Sequence, residues 1–140
     1  MKNQSNNDNT IMFFIMIISG LLSTMNIWVD KIDDIRFSIN DIYMTLLMTG
    51  WMFLLMGLYY TDSTNFVLGL TLIIINIWCI RTQFMVTSKQ YITGMIPHHS
   101  MAIHMSRKLL DKQPPKIKSF VENIIKIQEQ EITFMKNNLQ

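Results

Sequence analysis

Three apolar runs without a single charge fill most of the first 80 residues of this chain, and they fix what the rest can be. Ile11 to Val29, Ile42 to Tyr60 and Asn65 to Ile80 contain no Asp, Glu, Lys, Arg or His. A helix needs about 20 mainly apolar residues to cross a bilayer, so each run reads as a transmembrane helix. The third is the shortest and works as an upright span with Arg81 snorkelling to the interface. Tyr43, Tyr59 and Tyr60 bracket the second run, as interfacial anchors do. A cleaved signal peptide fits the first run poorly, because Lys2 is its only basic flank and no small-x-small cleavage site follows. The polar, Asn-rich residues 1–10 read as a frayed tail.

Three spans place the charged link Asp30 to Asp41 on the same side as everything after Ile80. Lys31, Arg36, Arg81 and Lys89 lie close to the spans on that side, against Lys2 and the α-amino group on the other. By the positive-inside rule the C-terminal region is expected in the cytoplasm and the N-terminus outside. A net charge of +2, with bases not interleaved with aromatic residues, argues against a nucleic-acid partner. The single cysteine, Cys79, permits neither an internal disulfide nor a Cys-based zinc site, and reads as a small buried hydrophobe. Met44, Met48, Met52 and Met56 form a stripe along the second span that serves either as pliable packing or as a thioether path for Cu(I). Asn26 and Asn76 are expected to hydrogen-bond between helices, and Gly50 and Gly57 to permit close helix contact. No ionisable group lies inside a span and no paired broken helices occur, features that ion transporters commonly carry.

Residues 81–140 read as a separate helical hairpin domain after the three-span region, residues 11–80. Its first helix carries Tyr91 to Leu110, YITGMIPHHSMAIHMSRKLL. At about 100° per residue, Tyr91, Met95, His98, His99, Ala102, Met105 and Leu109 share one side, with Ile92, Ile96, Ile103 and Leu110 extending it. Ser100, His104, Arg107 and Lys108 fall opposite. Imidazole and thioether donors on one face suit soft or borderline ions, Cu(I) above all, and suit Mg²⁺ or Ca²⁺ badly. The bland alternative is a core histidine with a hydrogen-bond partner among packing methionines. Pro97 either bends the helix, having no N–H for the Thr93 carbonyl, or is its first residue. Arg81 to Gln90 joins the third span to this helix and reads as a helical continuation.

The paired prolines of Asp111 to Pro115 predict a turn, with a second amphipathic helix from about Pro115 to Asn138. Its apolar face holds Ile117, Phe120, Val121, Ile124, Ile125, Ile132, Met135 and Leu139, interrupted by Gln128 and Glu131. A carboxylate there must be paired, protonated, metal-bound or at an edge. An antiparallel hairpin brings Gln128 to Met135 opposite Tyr91 to His99. Glu129 and Lys136, with the other charges, are expected on the solvated flanks. A lone hairpin buries little, so a dimer of hairpins forming a four-helix bundle is expected.

Tyr91 to Ile103, Y-x-x-x-M-I-P-H-H-S-x-A-I, followed by Ile124 to Met135, I-x-x-x-Q-x-x-E-I-x-x-M, closely resembles the bacterial domain-of-unknown-function family 305. A subset of that family resembles the whole layout, with three spans, a Met-rich second one among them, and an R-x-Q element like Arg81 to Gln83. The resemblance implies a small ferritin-like helical domain, here a half-bundle that the oligomerisation expected above would complete, and, as for some members, an association with copper. Carried over by position, its motif points to Met95, His98, His99, Met105, Glu131 and Met135 as metal site residues. The Glu-x-x-His pairs of di-iron proteins are missing, which argues against a di-iron oxidase. No nucleophile with its base and no phosphate loop appears, so no enzymatic activity is expected. The reading is therefore an all-α, membrane-anchored, homo-oligomeric protein that binds Cu(I). Its alternative is an assembly protein whose buried His/Glu pair sets helix register without metal.

Overall fold

The computed structural model of the chain describes residues 2–112 and 117–139, with side chains from Asn9 onward. The paired-proline turn expected at Pro114 and Pro115 lies outside the described residues. Five α-helices follow in order: α1 Lys2–Leu22, α2 Ile39–Tyr59, α3 Ser63–Thr82, α4 Ser88–Leu110 and α5 Lys118–Asn138, with no strand among the described residues. They belong to two compact units.

The first unit contains α1, α2 and α3. Three helical stretches, Asn9–Trp28, Ile39–Tyr59 and Ser63–Thr82, are long and apolar enough to cross a membrane, and most of each lies in this unit. The third begins at an Asp62 cap, whose carboxylate accepts the Thr64 N–H at 2.9 Å, and stops at Gln83, which takes the left-handed conformation at φ 50°. Contact between α2 and α3 is close because both are bare at the crossing. A Cβ on Gly57 would collide with the backbone of Phe66, and one on Gly69 with the backbone of Leu54. Phe53, Thr49 and Ile73 are buried inside this unit, while Phe14, Met44, Trp51, Leu55, Ile74 and Trp78 point outward.

Three local expectations change here. Residues 2–10 are part of α1 rather than a tail, since extending an existing helix adds a hydrogen bond for each residue fixed. Asn9 Nδ2 donates to Asn65 Oδ1 at 3.1 Å. Asn76 Nδ2 bonds back to the Leu72 carbonyl of its own helix at 2.7 Å, a local partner that competes with any interhelical one. The third helix does not run on into the fourth, because Thr87 starts α4 afresh with its hydroxyl accepting the Gln90 N–H.

The second unit joins α4 and α5 to Met25–Ile39, a stretch that leads into the first residue of α2. This stretch holds the end of the apolar stretch Asn9–Trp28 and the charged link after it, and makes two short helical turns, Met25–Trp28 and Ile32–Asp34, both packed on α4. Asn26 shapes it, with its amide donating to the Arg36 carbonyl at 2.8 Å and accepting the Arg36 N–H at 3.0 Å. We refer to Met25–Ile39 as the clasp. The core beside it is Ile96, Ile103, Ile132 and Met135, with Ile92, Met95, Ile125 and Leu139 against it.

Candidate metal centre

Pro97 stands inside α4, nine residues after its start, and is fully buried. It withholds an N–H from the Thr93 carbonyl two turns into the helix, directly before the histidine pair. His99 follows, and its ring is fixed at both nitrogens. Nδ1 lies 2.7 Å from the Met95 carbonyl, which only accepts, so Nδ1 carries the proton and donates it. Nε2 then faces the Glu131 carboxylate of α5 at 2.9 Å. Two acceptors at that distance need a cation between them, either a proton or a metal ion. His99 is 12% exposed and Glu131 49%, so the pair sits at the rim of the hairpin core, open to solvent on the carboxylate side.

The predicted site residues divide into two groups. Met95 precedes His99 by one helical turn and packs against the core, Met135 follows Glu131 by one turn and belongs to the core, and both lie in one cluster. Met95, His99, Glu131 and Met135 are therefore brought together. His98 is exposed, its ring centroid 5.8 Å from that of His99, and Met105 is more than half exposed, farther along α4. Among the described residues no three His, Cys, Asp or Glu side chains gather in a metal-holding group. The nitrogen and oxygen donors in contact number two, His99 and Glu131, and the thioethers of Met95 and Met135 belong to the adjoining core cluster. That composition fits a soft ion and fits a hard one poorly.

The predicted face of α4 is rotated from the observed one. Ser100, expected on the outer side, is fully buried, as are Ile96 and Ile103, whereas Tyr91, His98 and Met105, expected inside, are exposed. The cause is the clasp. A helix packed on α5 alone would bury the arc centred on His99, but the clasp covers the next arc round and draws in Ser100 and Arg107, each about 80–100° away.

This clasp side carries residues that the helical periodicity of α4 does not single out. Ser100 Oγ donates to Asp34 Oδ2 at 2.6 Å and accepts the Asp30 N–H at 2.9 Å. Asp34 is 2% exposed and pairs with Lys136 Nζ at 2.6 Å. Lys136 also reaches Asp33 at 2.6 Å, and Arg107 bridges Asp30 at 2.7 Å and Glu129 at 2.6 Å. Glu129 and Lys136 are thus clasp anchors rather than solvated flanks. The Lys136 ammonium, bonded to Asp33, holds that carboxyl below the usual carboxylate range. Burial alone would push Lys136 down, but its bonds to Asp33 and Asp34 outweigh this and hold it above its ordinary value. The legible signal was the spacing of Ile96, Ser100, Ile103 and Arg107, a helix face in its own right, alongside three aspartates in five residues.

Comparison with known proteins agrees with the hairpin as the recognisable part. Residues 82–139 match the family described as Domain of unknown function (DUF305). The chain is similar to uncharacterized protein L153 of Acanthamoeba polyphaga mimivirus, 42% identical over 141 residues, covering 94% of this chain and 93% of that protein. No solved structure matches. The motif that runs from Tyr91 to Met135, the match over 82–139 and the full-length relative lead to one conclusion: the chain belongs to the DUF305 family.

Proposed function

We propose that this is a non-catalytic, membrane-anchored metal-binding protein that sequesters or hands on Cu(I). The observation that carries the reading is His99. Its Nδ1 proton is committed to a backbone carbonyl, the arrangement that fixes the tautomer of a ligating histidine and aims Nε2 outward. Met95 and Met135 supply soft sulfur from one turn away on each helix, and Glu131 serves as a further donor or orients the imidazole. His98 and Met105, the other two residues of the motif, lie on the exposed side of α4.

Three spans anchor the domain in the bilayer. The outward apolar side chains of α1 to α3 support this, as does the pairing of Met25–Ile39 with α4 and α5, since two crossings by α2 and α3 return the chain to the side it left. Lys31, Arg36, Arg81 and Lys89 put that side in the cytoplasm by the positive-inside rule, with the N-terminus outside. A single hairpin is half of a four-helix bundle, and self-association completes it.

A second reading is favoured by the directness of the His99 to Glu131 contact. With a shared proton the pair is a polar register lock between α4 and α5, and the protein is an assembly element without metal. A competitive Cu(I) titration of the detergent-solubilised protein against a chromophoric chelator separates the two. We expect competition by the wild type, loss in His99→Ala, and a smaller loss in His98→Ala. Binding that survives the double substitution, or no competition at all, overturns the copper reading. The register reading instead expects Glu131→Gln to lower the unfolding midpoint in metal-free buffer with chelator present.

A further inference from the structure

The hairpin is closed on one side by the clasp and open on the other, and the open side is patterned. Along α4, Met95, His98, Ala102, Met105 and Leu109 recur at alternating steps of three and four residues, all at least partly exposed. Along α5, Phe120, Ile124, Ile127, Glu131 and Phe134 do the same, with Phe120 at 66% and Phe134 at 67% exposure. Such 3-4 spacing is the seam of left-handed helix packing, and the stripe that each helix already uses against the other has it too. The two open stripes lie on the same side of the hairpin, opposite the positions that hold the clasp: Ser100 and Arg107 on α4, Glu129 and Lys136 on α5. Each helix therefore has two seams, one of them used.

We infer that this open face docks a second copy of the chain about a two-fold axis parallel to the helices, α4 of each copy lying on α5 of the other. The inference rests on the self-association proposed above and names its surface and register. The His99 to Glu131 contact sets which residues of α4 and α5 stand level. A parallel two-fold preserves those levels, so Met95 meets the partner's Phe134, Ala102 the partner's Ile127, Met105 the partner's Ile124 and Leu109 the partner's Phe120. Each stripe has one polar ionisable residue, His98 on α4 and Glu131 on α5, and the same operation sets them against each other. Every apolar position meets an apolar one, and the lone imidazole meets the lone carboxylate. A lipid surface would leave Glu131 facing apolar chains, which disfavours that occupant. The consequence for the candidate centre is direct. The partner's His98 arrives at Glu131, beside His99, so that the exposed histidine of one copy completes the donor set of the other.

Two differently tagged copies, one Ala102→Cys and one Ile127→Cys, both with Cys79→Ser, would be co-expressed and mildly oxidised in membranes. A disulfide between the two tags, with neither variant cross-linking to itself, is the expected result. Self-cross-linking of Ala102→Cys would place α4 on α4 and overturn the register. A dimer by light scattering with no mixed disulfide would overturn this surface while leaving self-association intact. A monomer would overturn both, handing the face to lipid, and would leave the copper titration to stand or fall separately. Adding Phe120→Glu and Phe134→Glu, both outside the hairpin core, should cut the disulfide yield roughly tenfold or more with helicity unchanged. An unchanged yield would equally sink the proposal.

Discussion

The two long sides of the hairpin are built on opposite principles. On the clasp side, beside the packing of the Met25–Trp28 turn on α4, contact is fastened by charged and hydroxyl groups: Ser100 to Asp34, Asp34 to Lys136, Arg107 to Asp30 and Glu129. On the open side, the side chains are aromatic, aliphatic and sulfur-bearing, with one carboxylate and one imidazole among them. Polar contacts tie two pieces of one chain in a fixed relation, since each needs its partner at one distance and angle. An apolar face needs only area and shape, and suits a neighbour that arrives from outside. The difference predicts that substitutions of equal size will read out differently on the two sides.

The largest effect is expected at Asp34. Asp34→Ala removes the buried acceptor of Ser100 and one of the two partners of Lys136, and should destabilise the hairpin unit by about 3 kcal/mol, measured as a lowered midpoint of thermal unfolding. A loss under about 1 kcal/mol would mean that the clasp side is no more binding than a surface salt bridge. Phe134→Ser on the open side removes more apolar surface, yet should cost the isolated subunit less than about 0.5 kcal/mol, because that ring is already two-thirds exposed. A large midpoint shift there, in protein held monomeric by dilution, would blur the contrast between the sides.

The smallest effect is the pH response of the clasp. Asp33 has its carboxyl lowered by Lys136, so its contribution is complete above its ordinary value of 3.8 and is lost as the pH falls through the lowered one. Lys136 is raised, so its contribution is complete below 10.5 and is lost as the pH rises through the raised value. The midpoint difference between wild type and Asp33→Asn should therefore be flat from about pH 5 to about pH 9 and should shrink toward strong acid. Because Asp33 is well exposed, added salt should shrink it as well. A difference that grew on acidification would assign the pairing elsewhere.

These contrasts also mark how far the sequence could be read. The apolar runs were legible because crossing length and absence of charge are properties of one segment at a time. The hairpin was legible for the same reason, as was the meeting of His99 with Glu131, which follows from folding two helices back about a turn. Ser100 was not. Its burial depends on Asp34, 66 residues earlier, and no periodicity within α4 says that a second body covers that arc. Helical periodicity alone places one neighbour against α4, and with two the buried arc is wider and centred elsewhere. Asn26 was legible only in part. It lies within the apolar stretch Asn9–Trp28 as read, but its amide is also used on the Arg36 backbone, ten residues on, which shapes the clasp.

The clasp has one more implication, for the order in which the protein can be made. Its residues leave the ribosome before α2 and α3, but the surface that receives them, from Ser100 to Lys136, is synthesised last. Met25–Ile39 must wait, with Asp34 unpaired and hydrated, until two apolar helices have been delivered and the hairpin has folded. A fragment trimmed to residues 82–139, the extent of the family match, would never meet it. Such a fragment would hold Ser100, Ile103 and Lys136 bare on one side and the apolar stripes bare on the other, and work on the hairpin should therefore begin from the whole chain.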